Sequence, residues 1–157
     1  MKTLKRRRLE ARTDYRTRLN LLKSGKTRLV IRKTNRYIIA QLVSADNAQD
    51  KVLVSVTSKD LLSKGLDADL SGSLKSKAAA YLTGYMLAKT SKGKVKEAIL
   101  DLGMNRNIHK SRLYAVVGGA IEGGLEIAHS KEAIPTQEEV KSTGKLSKTF
   151  DKIKEKI

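Results

Sequence analysis

The chain has 157 residues, of which 39% are hydrophobic and 31% are charged, and it contains no cysteine. That length suits one domain with a modest hydrophobic core, and the lack of cysteine excludes disulfides and thiolate metal sites. No apolar run approaches the roughly 18 residues that indicate a membrane span, and the basic start of the chain lacks the apolar segment of a signal peptide. We therefore expect a cytoplasmic protein.

The net charge of +17 is concentrated at the ends of the chain. Residues 1–36 carry fourteen Lys or Arg against two acids, residues 37–140 carry thirteen against twelve, and residues 141–157 carry six against two. Such crowding of like charge raises self-repulsion unless a polyanion neutralises it. Nucleic acid and an anionic membrane surface are the candidate partners. Nucleic acid is favoured, because the segment best suited to a membrane surface, the C-terminal one, holds only +4.

The first 25 residues are predicted to form an arm followed by a helix. Residues 1–12 show no periodicity and are expected to form a basic extended arm that is disordered when unbound. Residues 13–25 predict a short helix, with Thr13 as its cap, Asp14 in its first turn and Gly25 at its end. The helix is expected to be half-buried through the face formed by Tyr15, Leu19 and Leu22.

The next segments predict strands. Residues 28–33 and 36–43 are rich in β-branched residues and are joined by Thr34 and Asn35, which predict a two-residue hairpin loop because Asn tolerates a positive φ. Residues 51–57 alternate, and should place Val52, Val54 and Val56 on one face. These strands form an antiparallel meander. Residues 95–103 predict a fourth strand, which can be parallel to a neighbour because it follows a helix.

Helical periodicity dominates the remainder. Residues 73–93 predict a helix capped by Ser73, residues 111–129 predict a second amphipathic helix, and residues 145–157 predict a C-terminal one. Four glycines within residues 118–124 are costly in a helix interior and indicate close packing on the sheet or on RNA. The fold class is α/β: a mixed sheet of about four strands with helices packed on it. The expected units are the arm (1–12), the α/β domain (13–140) and a basic helical tail (141–157).

The hairpin places cations at its turn. In "VIRKTNRYII" (30–39), Arg32, Lys33 and Arg36 lie within five residues. Lys and Arg neutralise phosphates, while Thr34 and Asn35 offer hydrogen bonds to sugars or base edges. Tyr15 and Tyr37 provide faces on which unpaired RNA bases stack, although packing alone explains Tyr37 nearly as well. The pattern predicts RNA binding.

The sequence supports a catalytic function less well than it supports RNA binding. Asp46, Asp50 and Asp101 could be imagined as a two-metal nuclease cluster, but they fall in a turn and at the end of a different strand. The two histidines, His109 and His129, lack the spacing of a zinc site. We expect no enzyme, no metal and no cofactor. A metal-dependent RNA-processing enzyme remains the alternative, and a free regulatory or DNA-compacting protein is a third hypothesis.

Three blocks carry a family resemblance. The stretches "TDYRTRLNLLKSGKTRLVIRKTNRYIIAQLV", "AAAYLTGYMLAK" and "GGAIEGGLEIAHSKEAIPTQEEV" occur in this order over roughly residues 5–140. Together they closely resemble the archaeal and eukaryotic branch of the ribosomal protein L-eighteen family. The C-terminal tail does not follow the usual ending of that family, and its partner stays open.

The resemblance implies a structural role. Members of the family bind 5S ribosomal RNA and help attach it to the large-subunit ribosomal RNA in the central protuberance, next to universal large-subunit protein five. The implied fold is an α/β sandwich with a mixed sheet. The RNA-binding surface implied by the resemblance comprises Arg6, Arg7, Arg8, Arg12, Tyr15, Arg16, Arg28, Arg32, Lys33, Thr34, Asn35 and Arg36.

Overall fold

The fold is built around one mixed β-sheet. The computed structural model describes residues 6–10, 12–46, 49–66, 72, 74–141, 146 and 149–157. Within these residues the sheet has five strands in the spatial order β3-β2-β1-β4-β5. The strands are β1 (Arg28–Lys33), β2 (Ile38–Asp46), β3 (Gln49–Thr57), β4 (Glu97–Asp101) and β5 (Glu126–Ile127).

Helices connect and cover the strands, so the predicted α/β class is confirmed. The α-helices are α1 (Arg6–Leu9), α2 (Tyr15–Lys23), α3 (Lys77–Thr90), α4 (Arg112–Glu122), α5 (Gln137–Lys141) and α6 (Phe150–Lys156). Short 3-10 helices run over Ser58–Leu62 and Lys131–Ala133.

The sheet begins as an antiparallel meander and is completed by parallel strands. β1 pairs antiparallel with β2, and β2 pairs antiparallel with β3. β4 lies parallel to β1, and β5 lies parallel to β4, because α3 and α4 provide the crossovers that parallel neighbours require. The predicted meander and the parallel fourth strand are confirmed. β5 was not predicted, since two residues carry no readable alternation.

The core lies between the sheet and the pair formed by α3 and α4. Leu29 and Ile31 of β1 are 0% exposed, and their spacing of two places both side chains on the same face of the sheet. α3 packs against α4 and also against β2 and β3. With neighbours on several sides, α3 buries most of its circumference, whereas the sequence predicted a single buried stripe.

Glycines let α3 and α4 touch through their backbones. A Cβ on Gly119 of α4 would lie 2.0 Å from the carbonyl oxygen of Tyr81 in α3. A Cβ on Gly84 of α3 would lie 2.0 Å from the carbonyl oxygen of Val116 in α4. The close packing predicted for the glycine-rich segment is confirmed, but the partner at this contact is another helix and not the sheet or RNA.

α4 is shorter than predicted, because two of its glycines end it. Gly123 is the C-cap, and Gly124 has a φ of +103°, which side chains disfavour. The N–H of Leu125 donates to the carbonyl of Ala120 at 3.0 Å, which completes a Schellman motif. The chain then turns into β5, so residues 125–129 do not continue the helix.

Two helix starts differ from their predicted caps. Asp14 caps α2 in place of Thr13, because its Oδ1 accepts two backbone N–H groups of the first turn at 3.0 and 3.3 Å. α3 is capped by Ser76, whose Oγ accepts the N–H of Ala79 at 3.2 Å. The predicted cap of α3, Ser73, lies outside the described residues.

A bulge in β3 reverses its alternation. Leu53 is an extra residue between the cross-strand pairs Leu42–Val54 and Val43–Val52. Val54 is buried, whereas Val52 is 50% exposed. The prediction that these two valines share a face is wrong, because one inserted residue shifts a period of two onto the other face.

The C-terminal helix packs onto the rest of the chain. Leu146, Phe150 and Ile153 are at most 1% exposed, as their helical spacing predicts. Lys154 of α6 pairs with Glu122 at the end of α4. The apolar face of α6 is therefore covered by the core.

Candidate nucleic-acid interface

Most of the predicted site lies at one end of the sheet, which we call the tip end. β1 runs into the β1–β2 turn there, and β4 is parallel to β1, with Asp101 at its end in register with Val30. β3 returns to the same end, since Thr57 lies opposite Ile39. The starts of α3 and α4 also reach the tip end, where Lys77 and other residues line a pocket together with Lys33.

The opposite end of the sheet carries a separate set of exposed charges. Lys26 Nζ pairs with Glu97 Oε2 at 2.8 Å at the start of β4. This hydrogen bond lowers the pKa of the Glu97 carboxyl and raises the pKa of the Lys26 ammonium, so the pair is ionised at neutral pH. The nearby turn adds further exposed lysines, namely Lys92, Lys94 and Lys96.

The hairpin tip is a four-residue turn, Thr34–Tyr37, and not the predicted two-residue loop. The N–H of Thr34 donates to the carbonyl of Tyr37 at 2.9 Å, and Thr34 Oγ1 accepts the N–H of Tyr37 at 2.9 Å. The Thr34 hydroxyl therefore holds the turn, and Asn35 has no need of a positive φ. The exposed side chains of the tip are Lys33, Asn35 and Arg36.

The described part of the N-terminal arm forms the single turn α1 within the segment predicted to be extended. Arg6 and Arg12 both pair with Glu10, at 2.7 and 3.2 Å. Their side chains are 89% and 67% exposed, and ion pairs that exposed contribute little. These two arginines can therefore exchange Glu10 for a phosphate at low cost. Arg8 belongs to the same turn.

The arm meets α2 beside the end of β4. Arg7 Nε donates to Thr13 Oγ1 at 2.9 Å. In α2, Arg16 is exposed and Tyr15 is partly buried, while Leu19 is 53% exposed and not part of a buried face. A cleft of about 110 Å³ between these parts is lined in part by Arg7, Arg12, Arg32 and Gly103. The arm therefore extends the basic surface of the tip end.

A chain of five alternating charges runs from α2 across β1 to the end of β4. Its members in order are Arg18, Asp50, Arg28, Asp101 and Arg32, and consecutive pairs lie 2.8, 2.6, 3.1 and 2.9 Å apart. Arg32 also donates to two backbone carbonyl oxygens, each at 2.8 Å. The network fixes the Arg32 guanidinium at the tip end, where 42% of its side chain remains exposed.

Arg28, one of the residues that the family resemblance implies for RNA binding, does not belong to the exposed surface. Its side chain is 2% exposed, and its guanidinium is bonded to Asp50 and Asp101. Its Nε is buried without a hydrogen-bond partner, which adds to the cost of burying this charge. Arg28 links β1 to β3 and β4, so its guanidinium holds these strands together in this structure.

The acids considered for a nuclease are occupied by arginines. Asp50 accepts from Arg18 and Arg28, and Asp101 accepts from Arg28 and Arg32. Asp46 follows Ala45, the cross-strand partner of Asp50, so the side chains of Asp46 and Asp50 lie on opposite faces of the sheet. Among the described residues no group of three or more His, Asp or Glu side chains is arranged to hold a metal ion. The two-metal reading therefore has no geometric support.

The membrane alternative also lacks a suitable helix. Within the part of the chain that the structure describes, no helix is long and apolar enough to cross a bilayer. The C-terminal segment, the candidate for a membrane surface, buries Phe150 and Ile153 in the core, so its apolar face is not available to lipid.

A second group of cations was missed by the sequence analysis. Lys33 lines a pocket of about 460 Å³ together with Lys77, Arg106 and Arg112. The last three come from residues 37–140, whose nearly neutral total charge concealed them. The stretch "NRNIHKSR" (105–112), with three cations and no acid, was the available signal.

Comparison with known proteins gives one consistent result. Residues 1–98 match a family model described as "Ribosomal large subunit proteins 60S L5, and 50S L18". The chain is 42% identical over 137 residues to the large ribosomal subunit protein uL18 of Methanoregula boonei, covering 87% of this chain and 76% of that protein. It is 45% identical over 139 residues to uL18 of Methanococcus maripaludis, covering 88% and 70%. Identity to uL18 of Haloarcula marismortui is 45% over 130 residues, covering 82% and 67%.

Proposed function

Because this chain belongs to the family of ribosomal large subunit proteins 60S L5 and 50S L18, we propose that it binds 5S ribosomal RNA and helps attach it to the large-subunit ribosomal RNA in the central protuberance. The resemblance found in the sequence is confirmed by that membership. The chain is accordingly a constituent of the large ribosomal subunit and not an enzyme.

The observation that carries the proposal is the gathering of exposed cations at the tip end. The arm contributes Arg6, Arg7 and Arg12, α2 contributes Arg16, and the hairpin contributes Lys33 and Arg36. These side chains neutralise phosphates, which supplies a large share of the affinity of proteins for nucleic acids. Tyr15 lies among them and offers a partly exposed ring to an unpaired base.

The network of Arg18, Asp50, Arg28, Asp101 and Arg32 supports the proposal by making this surface rigid. A cation that is already fixed loses less conformational entropy on binding than a free side chain. Arg32 therefore presents the exposed part of its guanidinium in a prepared position. Neighbouring large-subunit proteins, universal large-subunit protein five among them, belong to the proposed surroundings of the bound 5S RNA.

The test is the double substitution Lys33→Ala/Arg36→Ala at the hairpin tip. Each charge-assisted hydrogen bond contributes about 1.5–3 kcal/mol, and part of that is recovered by water at an exposed tip. We expect the affinity for 5S ribosomal RNA to fall about ten- to hundredfold, measured by filter binding at fixed salt. Arg32 is left unchanged, because its bonds to Asp101 also stabilise the fold.

The matched control is Lys92→Ala/Lys94→Ala, which removes the same charge from the opposite end of the sheet. It should change the affinity by less than about threefold, as expected for a long-range charge effect. Equal losses in the two double variants would show that binding depends on net charge alone and would contradict a site at the hairpin tip.

A further inference from the structure

The pocket between the hairpin and the starts of α3 and α4 has the composition of an anion site. It encloses about 460 Å³ and is lined by Lys33, Lys77, Asn105, Arg106, Ile108, Ser111, Arg112 and Leu113. Four of these residues are cations and none is an acid. Across the described residues, none of the four cations forms an ion pair with a carboxylate, unlike Arg28 and Arg32 nearby.

Two helices begin with a cation beside this pocket. Lys77 is the first residue of α3 and Arg112 is the first residue of α4, and neither helix has an acid in its first turn. The macrodipole makes a helix N-terminus partially positive, so a cation is unfavourable there. An anion placed between the two N-termini would relieve both mismatches at once.

Ser111 provides an independent sign of a missing partner. It is the N-cap of α4, yet its side chain makes no capping hydrogen bond. Its Oγ is buried and has no hydrogen-bond partner among the described residues. Buried polar atoms are almost always bonded in native structures, and Ser111 lines the pocket, so a group that enters the pocket is the candidate partner for this hydroxyl.

The loop that forms one wall of the pocket is held in place from several sides. Lys110 has a φ of +55°, an uncommon value for a residue with a side chain. Its N–H donates to the carbonyl of Ala133 at 2.8 Å. The Tyr114 hydroxyl donates to Asn107 Oδ1 at 2.6 Å. A strained residue that is supported in this way is typical of a prepared binding site.

The acid Glu139 is bonded to a lysine that does not line the pocket. Glu139 accepts a hydrogen bond from Lys110 Nζ at 2.6 Å, and that bond lowers the pKa of the Glu139 carboxyl, with a smaller contribution from the charge of Lys77. Its negative charge is thus shared with Lys110, which does not line the pocket. The four lining cations retain a net positive field.

We propose that this pocket binds a backbone phosphate of RNA, with Lys33, Lys77, Arg106 and Arg112 as the counter-charges and Ser111 Oγ as a donor. The inference rests on the proposed function, since Lys33 belongs both to the hairpin tip and to the pocket, which makes the two surfaces continuous. It extends the interface from the N-terminal quarter of the chain to the loop before α4.

The test compares Arg106→Gln/Arg112→Gln with the matched control Lys92→Gln/Lys94→Gln, using the full chain and 5S ribosomal RNA. We expect the first variant to bind at least about tenfold more weakly, as expected when charge-assisted hydrogen bonds are removed. The slope of log affinity against log salt should become shallower by about 0.7–0.9 for each phosphate that the variant no longer neutralises. Ethylation interference should identify at least one phosphate different from those affected by the single substitution Arg36→Ala, because Arg36 does not line the pocket.

The substitution Ser111→Ala tests the effect on RNA binding without a loss of stability. Removing an unpartnered buried hydroxyl should leave the melting temperature unchanged or slightly higher, while the affinity for 5S RNA falls about three- to tenfold. If Arg106→Gln/Arg112→Gln lowers the melting temperature, the affinity for 5S RNA is compared instead for the single substitution Arg106→Gln, which changes an exposed residue.

The outcomes distinguish the two proposals. A wild-type protein that is folded but does not bind 5S RNA overturns the proposed function. A wild-type protein that binds, with Arg106→Gln/Arg112→Gln indistinguishable from Lys92→Gln/Lys94→Gln, overturns the phosphate pocket alone. An unchanged affinity in Ser111→Ala removes the hydroxyl from the site.

Discussion

Replacing Gly119 by Ala is expected to lower the free energy of unfolding by about 3 kcal/mol, the upper part of the range for overpacked cores. The new Cβ would lie 2.0 Å from the carbonyl oxygen of Tyr81 and 2.9 Å from the backbone nitrogen of Tyr85. Backbone atoms in the middle of α3 cannot turn aside, so the two helices must separate. The gain in helix propensity, about 1 kcal/mol, offsets only part of this cost. Thermal unfolding should show a drop of roughly 6–12 °C in a chain of this length.

Two other glycines provide graded controls. A Cβ on Gly118 would meet the Cγ2 methyl of Ile134 at 2.8 Å, and the end of a side chain can move, so Gly118→Ala should cost clearly less. A Cβ on Gly72 would meet nothing within 4 Å, so Gly72→Ala should stay within about 0.5 kcal/mol of wild type. Equal melting temperatures for the three variants would contradict direct backbone contact between α3 and α4.

Replacing Asp101 by Ala is expected to lower the free energy of unfolding by about 3 kcal/mol, the lower end of the range for a broken buried ion pair, because Arg28 stays buried with only Asp50 to balance its charge. The Asp101 side chain is 9% exposed and pairs with Arg28, which is 2% exposed. It also accepts from Arg32 at 2.9 Å and from the N–H of Gly103 at 2.9 Å. Urea unfolding at neutral pH would measure the destabilisation.

Two further variants serve as controls for Asp101→Ala: one removes an exposed carboxylate, and the other removes Asp101 together with its buried partner Arg28. Asp46→Ala removes an exposed carboxylate at the far end of β2 and should change stability by no more than about 0.5 kcal/mol. Arg28→Met/Asp101→Leu removes both buried charges and should recover most of the stability, as well-packed apolar replacements of buried ion pairs do. If Asp101→Ala unfolded at the same urea concentration as Asp46→Ala, the network would have no stabilising role.

Much of the fold could be predicted because its signals are local. β-branched runs, a change to helical periodicity and the spacing of Leu146, Phe150 and Ile153 indicated the meander, the parallel fourth strand and the packed C-terminal helix. β5 could not be predicted, since two residues have no pattern. The bulge at Leu53 was also hidden, because an inserted residue changes pairing without changing composition.

The site was less predictable, because burial and charge pairing depend on distant residues. Arg28 resembles its exposed neighbours in sequence, yet its partners lie 22 and 73 residues further along the chain. The same long separation hid the meeting of Lys33 with Lys77 and Arg112. The local density of Lys and Arg therefore indicated where the chain is basic. Which of these cations are buried in ion pairs and which are exposed could be seen only in the folded structure.

The salt dependence of binding to 5S ribosomal RNA measures most directly how many cations of this chain neutralise phosphates. The predicted surface contains nine cations, and Arg28 is buried, which leaves about eight for phosphates. Filter binding of the full chain across a salt series should therefore give a slope of log affinity against log salt of roughly −5 to −7. A slope near zero, or no binding in dilute salt by a protein that remains folded, would contradict the account.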